Sequence, residues 1–572
     1  MASTQARQVF IGSSVFKVPA NVTRVRVIAE CTAFSRFACN AASSYLLDAN
    51  GQMWSWGTNA NGQLGQGNTT VCSSPIAVTQ GTQTKFVNFW VPKTNSTPQV
   101  FAIDQNGQLW SWGQNGGFPT GQLGQGQGAS AFANSSPILV AGSGIGVGKV
   151  QYAQVFTGFG QLAGLDINGN LWMWGTNTSG QCGSGTNGPT NLGGGVSSPV
   201  LVTGGIKWQD CNLESSGTPF GIDVNNTLWS WGSNGNGMLG INNAAPASVS
   251  SPVKVLGIGP VKKVMGATIL INNGIGTPGP IAFALDLQGR VFTWGNNTYG
   301  QAGVAAPYQI VYSSPTLVSF PAGVQIRDIA WTFNASVTDA CFYGLDYNGN
   351  IWAWGFTGGN PNAGCFGNGN FNSSNTLGSS TPTLVLGGHN INKLFTKPNG
   401  SLGVETVYGI DVNGAVWGWG NNGNGVLGNN GGTLNQSIPV AISGNNRFIW
   451  LDWDSANQGP VFACDFYGQL WSWSWNQNGA AGNGTGVNTI STSSPVQVSG
   501  QKVVQMNNPQ QDYFFDVVPG QSIPVIFGGL YTQFADKLVG PVPQTNVPQS
   551  AVALSASPLT LIANKITVEY DQ

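Results

Sequence analysis

The residues most able to do chemistry recur in one pattern. Asp-x-Asn-Gly stands at Asp48, Asp104, Asp166, Asp346 and Asp411, with close variants at Asp223, Asp286 and Asp465. A carboxylate followed by Asn and Gly resembles the opening of a calcium loop, but such loops continue with further carboxylates and a bidentate Glu. Here Gln-Met-Trp or Gln-Leu-Trp follows, so these aspartates read as turn formers that bond back to nearby backbone while Gly takes the positive φ. His389 is the only histidine and lies in a Gly/Asn loop, which reads as an exposed loop residue rather than a general base. The eight cysteines (Cys31, Cys39, Cys72, Cys182, Cys211, Cys341, Cys365 and Cys464) include no Cys-x-x-Cys pair. In a chain this long they read as mostly free, buried thiols, with Cys31–Cys39 the closest pair for a disulfide. Asp452 and Asp454 could meet Glu214 or Glu405 as a glycosidase pair, but nothing in the sequence pairs them. Gly193–Gly195 lacks the lysine of a phosphate loop. The expectation is no catalytic residue, no metal site, no cofactor and no enzyme.

Tryptophan carries more information. Of 21 residues, 15 sit in Trp-x-Trp motifs and are expected in the core. Trp90, Trp208, Trp331, Trp450, Trp453 and Trp475 fall outside the motifs and are the candidate contacts for a protein partner or a sugar ring, since aromatics are favoured at interface centres. The alternative is that they pack on inner strands or between repeats. The loops carrying Trp90, Trp331 and Trp453 are expected to face outward.

These residues need elements to hold them, and the elements repeat. The second tryptophans are Trp56, Trp112, Trp174, Trp231, Trp294, Trp354, Trp419 and Trp473, roughly 60 residues apart. Each unit predicts a short apolar strand before the Asp, a hairpin turn, and a return strand Leu-Trp-Ser-Trp with rings on both faces. A glycine-punctuated loop such as Gly121-Gln-Leu-Gly124 follows. Ser-Ser-Pro then heads a strand at Pro75, Pro137, Pro199, Pro252, Pro315 and Pro495, where proline suits an outer edge. A last strand, such as Lys262–Met265 or Lys502–Met506, leads into the next unit. Four short strands per unit, eight times over, predict an all-β, eight-bladed β-propeller over residues 25–520, with seven blades plus a divergent unit as the alternative.

Trp-x-Trp-Gly-x-Asn-x-x-Gly-Gln-Leu-Gly followed by Ser-Pro-x-x-Val resembles the regulator of chromosome condensation (RCC1-like) repeat. That resemblance implies a propeller fold, while functions across the family range over exchange factors, protein inhibitors, photoreceptors and scaffolds. A Gly-x-x-His-Ser element common in the family is absent. Variable insertions stand in its place at 92–98, 213–219, 272–280, 334–338 and 397–405.

The two ends, residues 1–24 and 521–572, lack the repeat. Val15-Phe-Lys-Val-Pro-Ala-Asn-Val-Thr-Arg-Val-Arg-Val27 resembles a strand pair of phage tail and fibre proteins. Arg7, Lys17, Arg24, Arg26 and Arg36 face only Glu30 locally, which makes 1–24 a candidate docking segment on an acidic partner subunit. The C-terminal arm, 521–572, is expected either to close the ring on the first blade or to lie across a neighbouring subunit.

Lys+Arg number 20 against Asp+Glu 21, and charged residues make up 7% of the chain, compared with roughly 25% in ordinary domains. So balanced a charge disfavours nucleic-acid binding, and no apolar run predicts membrane insertion or a secretory signal. An amide- and glycine-rich surface with a fibre-like first strand predicts a non-enzymatic virion surface protein, a phage tail or fibre component or a capsid decoration. It would be assembled in an oligomer with other virion subunits and would serve particle stability or attachment to a host receptor or glycan. The alternative is a cellular or secreted protein-binding RCC1-like scaffold or inhibitor.

Overall fold

The structure is a computed structural model. It describes residues 5–10, 14–17, 24–30, 37–40, 43–48, 51–78, 84–92, 98–115, 121–126, 133–158, 160–187, 194–213, 217–267, 279–305, 311–334, 339–356, 364–370, 379–396, 406–444, 446–453, 460–465, 469–476, 481, 489–502, 511–516, 522–525 and 565–571. The chain forms two compact units: Met1–Phe37 with Leu47–Gln52 and Val504–Gln572, and Ala38–Leu46 with Met53–Val503.

The larger unit is an all-β, eight-bladed propeller. Eight four-stranded antiparallel sheets follow one another along the chain, spanning 37–77, 86–139, 152–201, 208–254, 261–317, 326–384, 391–441 and 448–502, here blades 1 to 8. Strands pair in sequence order within every blade. The first strands of neighbouring blades approach one another and so line the axis, while the fourth strands, which carry the Ser-Pro element, form the outer edge. Blades therefore begin one strand earlier than the sequence reading places them. Val261–Ala267, read there as the last strand of a unit, is the inner strand of blade 5. Proline sits inside the fourth strand rather than at its head, as in Cys72–Ala77. Blades 6 and 7 use Pro382 and Pro439 in the same place, in strands lacking the full Ser-Ser-Pro.

Each turn is built by its aspartate. In blade 2, Asp104 Oδ1 accepts the N–H groups of Asn106 and Gln108 at 2.8 and 2.9 Å, while Oδ2 accepts Trp110 Nε1–H at 3.1 Å. The same three bonds recur at Asp166, Asp223, Asp346 and Asp411, whose Oδ2 takes the indole of Trp172, Trp229, Trp352 and Trp417. In blade 5, Phe292 replaces that tryptophan, and Arg290 Nε donates to Asp286 Oδ2 at 2.7 Å instead. Blade 4 has Asn226 where the other turns carry Gly, with φ +62°, a conformation asparagine tolerates better than most residues.

The amides of the composition close the loop after the Trp-x-Trp strand. Asn59 Oδ1 accepts Leu64 N–H at 2.9 Å, and Asn115, Asn177, Asn234, Asn297, Asn422 and Asn476 do the same for Leu123, Cys182, Leu239, Ala302, Leu427 and Ala481. All seven amides are buried. The serine between the two tryptophans joins them, Ser111 Oγ–H donating to Leu123 O at 2.7 Å.

These loops are the joints between blades. The second tryptophan of each following blade donates its indole N–H to a loop carbonyl of the blade before it. The pairs are Trp112 to Gln63, Trp174 to Gln122, Trp231 to Gln181, Trp294 to Met238, Trp419 to Cys365 and Trp473 to Val426, all at 2.7–2.9 Å. Trp354 occupies the equivalent place but its indole nitrogen has no hydrogen-bond partner. The glycine ending each loop lies against that ring: a Cβ on Gly124, at φ +69°, would stand 2.9 Å from Trp174 Nε1. A third contact explains the serines of the outer strand. Loop N–H groups of Gly67, Gly126, Gly185, Asn242, Ala305, Gly369 and Asn430 donate to the carbonyls of Ser135, Ser197, Ser250, Ser313, Ser380, Ser437 and Ser493 on the next blade, at 2.7–3.0 Å. Hydrophobic clusters span the same joints, as where Trp294 packs with Phe220, Met238 and Val255.

In the smaller unit the two ends of the chain share sheets. Strand Lys565–Asp571 pairs antiparallel with both Gln5–Phe10 and Arg24–Glu30, which also pairs with Gln511–Asp516, while Ser14–Lys17 pairs with Ser522–Val525. The C-terminal segment is thus a partner of the N-terminal one, which neither expectation for the arm had foreseen.

Candidate functional site

The structure places the six candidate tryptophans on strands. Trp90, Trp208 and Trp331 lie on the axial first strands of blades 2, 4 and 6, only 8, 2 and 6% exposed. Trp208 packs edge-on to Trp229 and tilted against Trp231, and Trp331 stacks on Phe342. An outward-facing position for Trp90 and Trp331 is therefore corrected. Both stand at or near the end of an inner strand, where apolar rings fill the space between adjacent blades. Trp450 is partly buried on the first strand of blade 8. Trp453 and Trp475 lie on strands too, and their side chains are outside the described residues.

The basic residues proposed to dock also find their place in the register. Arg7 and Arg26 both stand opposite Glu569, Arg24 opposite Asp516, and Lys17 opposite Ser522. Arg36 and Cys31 are outside the described residues. Two acids more than 480 positions away thus stand opposite three of these arginines in the register, which a scan along the chain cannot see.

Sequence reading missed a line of charge on the axial strands. Each first strand of blades 2 to 8 carries a β-bulge after its first residue, as between Val261 and Lys263 or Ile326 and Asp328. On blades 5 to 7 the bulged positions are Lys262–Lys263, Arg327–Asp328 and Asn392–Lys393. Lys263 Nζ bonds Asp328 Oδ1 at 2.7 Å and Ile329 O at 2.8 Å, and Lys262 Nζ bonds Arg327 O at 3.0 Å. Arg327 reaches Asp346 O and Ile391 O, and Lys393 reaches Ile449 O. Burial pushes the Asp328 carboxyl up, but Lys263, Lys262 and the Ile329 N–H outweigh it and hold it below the ordinary carboxylate range. Every one of these bonds crosses between blades or braces a turn, so the line ties four blades together. Its signal in the sequence is two adjacent charged or amide residues at the second and third positions of an inner strand.

Other reactive groups are occupied. Cys341 and Cys365 form a disulfide within blade 6. Cys182, Cys211 and Cys464 are buried thiols, Cys39 is buried and Cys72 is partly exposed. Burial pushes Cys182 up to about 12 and Cys211 well above the usual thiol range. His389 stacks on Trp417 with ring centroids 3.4 Å apart, and burial lowers its pKa against the opposing pull of Asp411. Among the described residues no group of three His, Cys, Asp or Glu side chains is placed to hold a metal, and no helix is long and apolar enough to cross a membrane.

The family model for the regulator of chromosome condensation (RCC1) repeat matches residues 50–89, 288–331 and 413–452. These three segments are RCC1 repeats. Each match contains an Asp-turn return strand with the loop and outer strand that make the joint, or part of that unit. Protein RCC2 of Homo sapiens is 29% identical over 148 residues, 26% of this chain and 26% of that protein. The ultraviolet-B receptor UVR8 of Arabidopsis thaliana is 24% identical over 308 residues, 53% of this chain and 60% of that protein. The matches thus span about a quarter of the RCC2 protein and three fifths of UVR8. Among solved structures, yeast RCC1 (Prp20) bound to Kap60 has 17% identity and a TM-score of 0.48, covering 74% of this chain and 88% of that chain. The RCC1 relatives are proteins of cells, and they overturn the expected location on a virion. The low charge that suggested a particle surface accords with joints between blades that are made of amides, hydroxyls, indoles and backbone.

Proposed function

We propose that this chain is a protein-binding scaffold built on an RCC1-like propeller, acting through recognition rather than covalent chemistry. The observation that supports this most is how completely the repeat spends its polar groups on holding the blades. Turn aspartates such as Asp104 use both oxygens, six of the second tryptophans use their N–H groups, and the loop amides Asn59, Asn177, Asn234 and Asn422 use both ends. What remains to differ between blades is the set of exposed side chains on turns and the connecting segments between first and second strands, the arrangement by which a rigid frame presents recognition loops. The insertions at 92–98, 213–219, 272–280, 334–338 and 397–405 fall in such segments, and residues 93–97, 214–216, 268–278, 335–338 and 397–405 are outside the described residues.

The test is affinity capture with the full chain immobilised, against lysate of its source cells, followed by cross-linking mass spectrometry and titration of the purified partner. The expected result is a saturable, stoichiometric partner with Kd on the order of 1 μM or tighter, as for specific interfaces. Capture of nothing beyond the background of an unrelated propeller would overturn the proposal.

A further inference from the structure

One end of the ring carries all the Asp-x-Asn-Gly turns, the starts of the first strands and the ends of the fourth strands. The residue after the turn aspartate is Ile167, Val224, Leu287 and Val412 in blades 3, 4, 5 and 7, and these are 59, 55, 42 and 58% exposed. A soluble turn has no structural need for an aliphatic side chain there. Its N–H bonds the residue preceding the blade's own first strand, as Val224 N–H does to Lys207 O at 2.9 Å. That bond is satisfied by backbone alone and leaves the side chain pointing away from the core.

Basic residues stand beside these aliphatics. Lys207 is exposed, and its Nζ reaches Asn168 O at 2.9 Å and Asn170 Oδ1 at 2.7 Å, so it lies over the blade 3 turn beside Ile167 while its backbone holds Val224. Arg447 packs over the blade 7 turn, its Cβ 3.1 Å from where a Cβ on Gly414 would stand, beside Val412. Arg290, three residues from Leu287, is exposed while its Nε is ion-paired with the buried Asp286 at 2.7 Å. Lys149 is exposed close to Ile145 and Val147, which are 64 and 106% exposed in the connection entering blade 3. Across blades 2 to 7 the six turn aspartates at this end are all 8% exposed or less, and of the two acids near the starts of the first strands Asp210 is partly buried and Asp328 is ion-paired with Lys263 at 2.7 Å. An accessible surface in which exposed aliphatics stand near exposed cations, while the acids are buried, partly buried or paired, is complementary to one chemistry.

We infer that this turn end of blades 3 to 7 docks an acidic polypeptide segment of a partner protein, one that alternates carboxylates with aliphatic or aromatic side chains. The inference rests on the scaffold reading and names the face and the partner's chemistry. A nucleic acid would call for aromatic stacking platforms along a basic groove, and the exposed apolar residues here are aliphatic. An anionic membrane would call for a denser polybasic cluster.

The test is fluorescence anisotropy of the full chain with a labelled peptide of about 16 residues alternating Glu with Leu and Phe, long enough when extended to cross several blades. A peptide with Lys for every Glu, single-stranded DNA and phosphatidylserine vesicles are the other arms. The Glu peptide is expected to bind, to weaken at least ~10-fold between about 50 and 500 mM salt, and to lose at least ~10-fold in affinity in Lys149→Glu/Lys207→Glu. Ile167→Ser/Val224→Ser should weaken it too, at unchanged melting temperature, which keeps the aliphatic half testable if the charge variant folds poorly. Equal binding of the Lys peptide, preference for DNA or vesicles, or variants that bind as wild type would overturn the inference. A captured partner whose cross-links fall on the segments between first and second strands would overturn this face and leave the scaffold reading standing. Absence of both peptide binding and any captured partner would remove both.

Discussion

The indole joints allow the worth of one hydrogen bond to be read from two chemically identical substitutions. Trp231 and Trp354 are both buried, both are the second tryptophan of the Trp-x-Trp motif on the third strand of their blades, and both lie against the loop of the preceding blade. Trp231 Nε1–H donates to Gln181 O at 2.7 Å, whereas Trp354 Nε1 is buried with no partner. Replacing either with phenylalanine trims the same ring and leaves a similar cavity, so those losses largely cancel in the comparison. Trp231→Phe also strands the Gln181 carbonyl, a cost of about 1–3 kcal/mol for a buried unsatisfied group. Trp354→Phe instead removes an unsatisfied donor and recovers a similar amount. The first variant should therefore be less stable than the second by at least ~2 kcal/mol. Equilibrium urea unfolding followed by tryptophan fluorescence and circular dichroism measures this, provided the slope against denaturant is unchanged. Equal destabilisation, or a larger loss at Trp354, would refute the claim that the indole N–H, and not ring volume alone, holds each blade to the one before it.

The loop glycines offer a parallel comparison: Gly124→Ala and Gly205→Ala both force a side chain into positive φ, but only at Gly124 would the new Cβ meet the next blade's tryptophan. Melting and urea curves should show Gly124→Ala costing about 1–3 kcal/mol more, the range for overpacking, and equal costs would refute a role in the joint. With a thiol-reactive chromophore under native conditions, Cys72 should react before Cys182, Cys211 and Cys464, which wait for unfolding. Because burial lowers the His389 pKa below its ordinary 6.5, the unfolded chain binds that proton more readily. The contribution of neutral His389 is fully present above pH 6.5 and declines as pH falls through the lowered folded value. The melting-temperature advantage of wild type over His389→Gln should shrink between pH 7.5 and 5, and an advantage that grows on acidification would contradict the assignment.

Much of this fold is legible in the sequence because its turns and loops are short-range patterns. The Asp-x-Asn-Gly turn and the loop after Trp-Ser-Trp close on hydrogen bonds between residues within about a dozen positions of one another, so period and turn chemistry suffice to predict eight four-stranded blades. Blade phase was not legible, since a strand between two repeats belongs equally well to either until hydrogen bonds show Val261–Ala267 pairing forward with Ile281–Asp286. Nor were the lone tryptophans. Exposure depends on which edge of a blade a strand occupies, and the same ring at Trp208 serves as core or as contact according to that phase alone.

The misreading of the surface has a physical lesson in the same residues. Low charge and abundant amides were taken as the coat of an exposed particle, yet Asn59, Asn177 and Asn234 are 1% exposed or less and Gln63 and Gln181 are nearly as deep. Composition counts a buried amide and a solvated one alike. In this chain the amides are interior because a blade edge needs acceptors placed five residues from their donors, and charged side chains there would carry a desolvation cost that amides avoid. Charge is consequently free to concentrate where the ring does not need it for assembly, and the exposed Lys149, Lys207, Arg290 and Arg447 at the turn end stand out against a nearly neutral frame. A propeller that builds its joints from neutral groups can change partner by altering a few turn residues without disturbing the ring, and reversing Lys149 and Lys207 should therefore change binding while leaving the melting temperature where it was.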